Sequence, residues 1–110
     1  IEISRQVIEI NPLYIDAYRN LAFAYLESNR IEEAIQTYQQ ALSIVPKDPI
    51  LFYELGEAYF KKTKIDPDTL DLAKTAYKMF LKNWQGSQTF VEIAHKQISK
   101  IEYHLSRVSQ

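Results

Sequence analysis

Cysteine is absent, so the chain can hold neither a disulfide nor a thiolate metal site. Two Gly and four Pro in 110 residues leave little turn chemistry, which predicts few turns and long elements. With so little glycine there is no Gly-rich phosphate loop, and no Ser stands in a nucleophile elbow. Basic and acidic residues nearly cancel, 13 against 14, so no cationic excess exists to neutralise phosphates and nucleic acid is not an expected partner. No apolar run approaches the roughly 20 residues that span a bilayer, so direct membrane insertion is not expected either. No leader pattern is present. The chain starts at Ile1 without Met, so a fragment or a processed product is expected and the missing leader carries no information.

What is present is apolar and periodic. The chain is 46% hydrophobic, with eight Tyr, five Phe and one Trp. Tyr18, Leu21, Ala22 and Tyr25 stand at spacings of three, one and three, and Phe52, Leu55, Gly56 and Tyr59 repeat that spacing 34 residues later. Pro12 and Pro46 are also 34 apart. A fixed period of this size points to stacked helical repeats instead of one closed core.

The periodicity predicts a helix over 2–10, with Ile3, Val7 and Ile10 on one face, stopped at Asn11-Pro12. A second helix covers 14–28. Its buried stripe is Tyr18, Leu21, Ala22 and Tyr25, widened by Ala17 and Ala24, and Asn29 supplies a left-handed end. A third covers 31–44, with Ile31, Ala34, Ile35, Tyr38, Ala41, Leu42 and Val45 inward. The short connection makes these two antiparallel, and Ala34 opposite Ala22 lets their backbones approach. Asp48-Pro49 opens a helix running to 62. The repeat then slips. Ala73 and Tyr77 take the roles of Ala34 and Tyr38 five residues late, so residues 64–68 are an insertion in the turn, where added length costs little closure entropy. Asp66-Pro67 caps the helix that follows, to about Trp84, and Gly86 stops it. Thr89 to Glu92 reads as a capping box for a last helix to about Ser106. That helix has Phe90, Ile93, Ala94, Ile98, Ile101 and Leu105 on one side and Glu92, Lys96, Lys100, Glu102 and Arg107 on the other. Such one-sidedness suits a terminal cap.

Tyr18-x2-Leu21-Ala22-x2-Tyr25, Ala34-x3-Tyr38, Ala41 and Pro46 together resemble a tetratricopeptide repeat, with Tyr in place of the usual Trp. Phe52-x2-Leu55-Gly56-x2-Tyr59 with Ala73-x3-Tyr77 resembles a second, although Phe80 stands where the first has Ala41 and the closing Pro is missing. The resemblance implies an all-α, right-handed superhelical solenoid of antiparallel helix pairs, about 2.5 repeats with a C-terminal capping helix. As one domain over 1–110, it would divide into the second helix of a truncated repeat (1–12), a repeat (13–47), a repeat with an enlarged turn (48–86) and a cap (87–110).

The same resemblance implies a peptide- or protein-binding scaffold that uses the concave groove lined by the first helix of each repeat. Removing the core stripes leaves Asp16, Arg19, Asn20, Phe23 and Leu26 on one such helix. On the other it leaves Tyr53, Glu54, Glu57, Phe60 and Lys61, with Glu27 and Ile50 at the margins. Phe23, Leu26, Tyr53 and Phe60 are large apolar groups outside the core stripes, an expected docking strip flanked by charge. A subfamily that grips a C-terminal carboxylate needs Lys and Asn at set positions, which here hold Arg19, Phe23 and Glu54; that mode is not expected.

No catalytic, cofactor-binding or metal-ligating residue is expected. His95 and His104 are half a turn out of phase on one helix, and Asp66, Asp68 and Asp71 lack the Gly and terminal Glu of a calcium loop. An enzyme is therefore not expected. Trp84 reads as a buried hinge between the second repeat and the last helix. The competing reading of function is self-assembly, in which the apolar edge at residues 1–12 pairs with another copy of the chain.

Overall fold

The computed structural model describes residues 1–64 and 66–108, the side chain of Val108 excepted. Ile65, inside the expected insertion, and Ser109 and Gln110, at the end of the expected cap, lie outside the described residues. Among the described residues the architecture is all-α, a helical-repeat fold with six α-helices and one 3-10 turn. The chain forms two compact units, Ile1–Lys47 and Asp48–Gln110.

The first unit holds α1 (Glu2–Ile10), α2 (Ile15–Glu27) and α3 (Ile31–Ile44). Helix α1 stops where Asn11 precedes Pro12, and Asn11 donates its N–H to the Val7 carbonyl at 2.8 Å. In α2 the stripe at 18, 21, 22 and 25 is buried as its 3.6-residue spacing requires, with Ala17 beside it. Ala24 is only half-buried. Asn29 ends this segment at φ 59°, the one positive φ outside glycine among the described residues, and Arg30 donates its N–H to Tyr25 at 2.8 Å. Across this tight turn α3 buries Ile31, Ala34, Ile35, Tyr38 and Ala41, while Leu42 and Val45 are half-exposed near its end. Ala22 and Ala34 are both fully buried, as close helix approach demands. Tyr18 stays in the core by donating its hydroxyl to the Pro12 carbonyl at 2.8 Å.

The second unit holds α4 (Pro49–Lys62), a 3-10 turn (Pro67–Thr69), α5 (Leu70–Asn83) and α6 (Gln88–Val108). Asp48 caps α4 by accepting the Ile50 N–H at 2.9 Å, with Pro49 in the first turn. Leu51, Leu55, Gly56, Ala58 and Tyr59 are buried. Phe52, expected at the heart of this stripe, is half-buried, and Leu51 takes the innermost place. The stripe has rotated toward its leading edge, because the fully buried Leu51 and Ala58 sit seven residues apart on one face.

Asp66 accepts the Asp68 N–H at 3.0 Å and starts the 3-10 turn, which hands over to α5 at Leu70. Thr69 is buried there, and its hydroxyl reaches the Asp66 carbonyl at 2.8 Å and the Tyr59 carbonyl at 3.3 Å. Helix α5 buries Leu70, Ala73, Ala76, Tyr77 and Phe80.

Two expectations at the junction of α5 and α6 are corrected. Gly86 does not end α5 through a left-handed conformation, because neither glycine has a positive φ. The helix ends at Asn83, and Trp84 is extended. Gly86 is small for another reason: the Trp84 ring folds over it, and any Cβ would collide with the indole. Nor does Thr89 cap the last helix. Helix α6 begins at Gln88, and Ser87 accepts the Thr89 N–H at 3.2 Å, two places earlier than the capping-box reading. Trp84 donates its indole N–H to the Ser87 carbonyl at 3.0 Å, which fixes the turn and shifts the start of α6. In α6, Ala94, Ile98 and Ile101 are buried, whereas Phe90 and Ile93 are 42% and 37% exposed. They precede the part of α6 that seats its apolar side in the core.

Candidate protein-binding surface

In the first unit, the tyrosine stripe sends the opposite face of α2 outward. Phe23 stands in the middle of that face, 60% exposed, with Asn20 exposed one turn before it. Asp16 is exposed and pairs with half-exposed Arg19 at 3.7 Å, a weak one-turn contact in water. Leu26 is half-buried at the far end. A large aromatic ring held out from a rigid helix loses little conformational freedom on contact, which suits it to protein recognition.

In the second unit, Glu54, Glu57 and Phe60 are half-buried on α4 and Lys61 is exposed. Tyr53 is more deeply engaged. Its ring meets Tyr77, Phe80 and Phe90 edge-on, with centroids 6.1, 5.1 and 5.5 Å away. Trp84 extends this aromatic layer, 5.3 Å from Phe80 and 5.9 Å from Phe90. Tyr53 thus joins α4 to α5 and α6 while keeping part of its ring in solvent. Burial pushes the Tyr53 hydroxyl above the ordinary tyrosine pKa, helped by the Glu57 charge. Glu57 accepts a short hydrogen bond from Tyr77. Burial first, and then Glu57, hold Tyr77 far above its usual range and keep it neutral.

Sequence reasoning missed the contacts that tie α1 to α2. Arg5 donates to the Tyr25 hydroxyl at 2.6 Å, and the Arg30 guanidinium lies 4.8 Å from the Tyr25 ring centroid. The hydrogen bond to Tyr25, with that hydroxyl's charge, raises Arg5 above its ordinary pKa. Beside this contact is an open cleft of about 410 Å³, floored by Leu21 and Tyr25 and edged by Glu9, Gln36 and Gln40. The signal was a cation at 5 and a tyrosine at 25, two residues whose meeting depends on how α1 docks.

Among the described residues, no group of three or more His, Asp or Glu side chains is placed to hold a metal ion. No helix among them is long and apolar enough to cross a membrane.

Two family models match the chain. One, described as a TPR repeat, covers residues 24–62; the other, described as a tetratricopeptide repeat, covers residues 5–36. No curated protein matches the chain. Repeats of this family generally mediate contacts between proteins, and they typically serve as non-catalytic scaffolds. The matched segments contain the buried tyrosine and alanine stripes of α2 and α3 and the start of the second helix pair. The chain belongs to the tetratricopeptide repeat family.

Proposed function

We propose that this chain is a binding scaffold which takes a peptide or protein partner on the outward faces of its first-in-repeat helices. On α2 the contact residues are Asp16, Arg19, Asn20, Phe23 and Leu26. On α4 they are Tyr53, Glu54, Glu57, Phe60 and Lys61. The observation that carries the reading is Phe23, an aromatic ring 60% exposed at the centre of a face whose reverse is fully packed. The repeat division 13–47 and 48–86 belongs to the same proposal, each repeat supplying one such face.

The test is affinity for a partner recovered with the unmodified chain. Phe23→Ala is the clean probe, since its side chain leaves the core untouched; Tyr53→Ala would also loosen the aromatic layer. Phe23→Ala should keep full helicity and weaken capture roughly tenfold or more, the range of an aromatic anchor. Capture of equal strength by both proteins would refute the assignment.

A second reading has its own observation. Ile3 and Ile10 on α1 are 76% and 85% exposed, and α1 buries none of its residues. Self-association through residues 1–12 would cover them. Light scattering of Ile3→Asp/Ile10→Asp against the unmodified chain separates the two. A dimer lost in the variant favours assembly, and a monomer in both cases leaves the partner-binding faces.

A further inference from the structure

The outward side of α6 carries a cationic strip. Lys96, Lys100 and Arg107 fall within about half a turn of one another on the helix, with Tyr103 between them. All four side chains are exposed, Tyr103 at 58%. Neither Lys96 nor Lys100 pairs with a carboxylate among the described residues. Arg107 is pre-set: its guanidinium donates to the Tyr103 hydroxyl at 3.0 Å and lies 5.6 Å from that ring's centroid. Glu102, the nearest acid in sequence, is drawn off the strip by Lys74 of α5 at 3.3 Å. The reverse of the helix is the buried side, with Ala94, Ile98 and Ile101 in the core.

We propose that this strip docks an acidic segment of a partner protein. Charge complementarity names the occupant. Two ammonium groups without a carboxylate partner among the described residues and one oriented guanidinium, spaced four and seven residues apart along a rigid helix, match carboxylates at like spacing on a facing segment. Tyr103 gives that segment an aromatic surface held upright by Arg107. A nucleic acid fits less well. The strip offers three cations, the whole chain carries a net charge of −1, and Glu92 shares the exposed side near its start. An anionic bilayer fits less well too, because among the described residues a single exposed aliphatic side chain, Ile93, accompanies the cations on this side to enter the acyl region.

The experiment is fluorescence anisotropy with the whole chain and a labelled helical peptide carrying Glu at positions i, i+4, i+7 and i+11. A single-stranded oligonucleotide and phosphatidylserine vesicles serve as comparison probes. The expected result is saturable peptide binding at low ionic strength that weakens roughly tenfold in Lys96→Glu/Lys100→Glu and fades with added salt. Circular dichroism should show unchanged helicity, and Lys96→Gln/Lys100→Gln should give an intermediate loss. Absence of peptide binding would overturn the proposal. So would equal binding by the charge-reversed chain, or tighter capture of the oligonucleotide or the vesicles than of the peptide. A loss of Phe23-dependent partner binding leaves this strip unaffected, so the two readings fail separately.

Discussion

The two helix pairs start from the same pattern and reach different solutions. In the first unit, α2 and α3 each bury an alanine fully, Ala22 and Ala34, and a short turn closed by Asn29 joins the two helices. In the second, Gly56 replaces Ala22 and the space is taken by the Tyr77 ring, 3.1 Å from where a Cβ would be. The connection there is longer and contains a 3-10 turn pinned by buried Thr69. The second unit also carries the aromatic layer of Tyr53, Tyr77, Phe80, Trp84 and Phe90, for which the first unit has no counterpart among its ring contacts. The period therefore repeats the inward positions 17/51, 21/55, 22/56 and 25/59, fails at 18/52 and 24/58, and leaves the sizes of the inward residues free to trade across the interface.

The sharpest way to break this comparison is to empty the aromatic layer. Phe80 is 1% exposed, and Phe80→Ala should cost about 3–5 kcal/mol. Trp84 is the chain's only tryptophan and lies in the second unit, so its emission reports that unit alone. Thermal unfolding followed at Trp84 should shift far more in this variant than in one that shortens half-exposed Leu42 of the first unit.

Next in size is Gly86→Ala. The added methyl must push the Trp84 ring off its seat and break its bond to Ser87, at a cost of about 1–3 kcal/mol. Trp84 emission should move to longer wavelength in the folded protein. Unchanged emission would show that the ring does not lie over residue 86.

Tyr77→Phe comes third. It leaves half-buried Glu57 without its donor, a loss of about 1–2 kcal/mol at neutral pH. It also changes the alkaline limb. The folded chain holds the Tyr77 proton more tightly than the unfolded chain does, so this contribution is complete below pH ~10 and declines as the pH rises above it. Urea unfolding at rising pH should fall less steeply for the variant.

The smallest effect is the most direct comparison of the two pairs. Ala22→Gly should cost about 1 kcal/mol through helix propensity. Gly56→Ala should fail to recover the same amount, because Tyr77 is fully buried and anchored to Glu57, and its ring cannot yield. If Gly56→Ala stabilised the chain by the full propensity gain, the packing account of this pair would be wrong.

Helix positions and inward stripes were legible because they rest on local rules: period 3.6, Asp-Pro starts, Asn at a left-handed end. Asn29 and Asp48 both perform as those rules require. What escaped was set by contacts between elements. The Thr89 capping box is a valid local pattern, yet the Trp84 indole decides the turn and gives the cap to Ser87. Gly86 reads as a helix stop, and its real constraint is a ring two residues earlier. Within the candidate site, Phe23 was visible as a large apolar residue off the core stripe, and it is exposed. Tyr53 was visible by the same rule, but its ring contacts come from α5 and α6, 24 or more residues away.

The central claim is that a partner polypeptide contacts the outward faces of α2 and α4. Titrating isotope-labelled chain with a captured partner and mapping amide shifts tests it most directly. The account predicts the largest shifts around Asn20 and Phe23 on α2 and around Glu54 and Lys61 on α4, with little change at buried Ala34. Shifts confined to α1, with α2 and α4 silent, would contradict it.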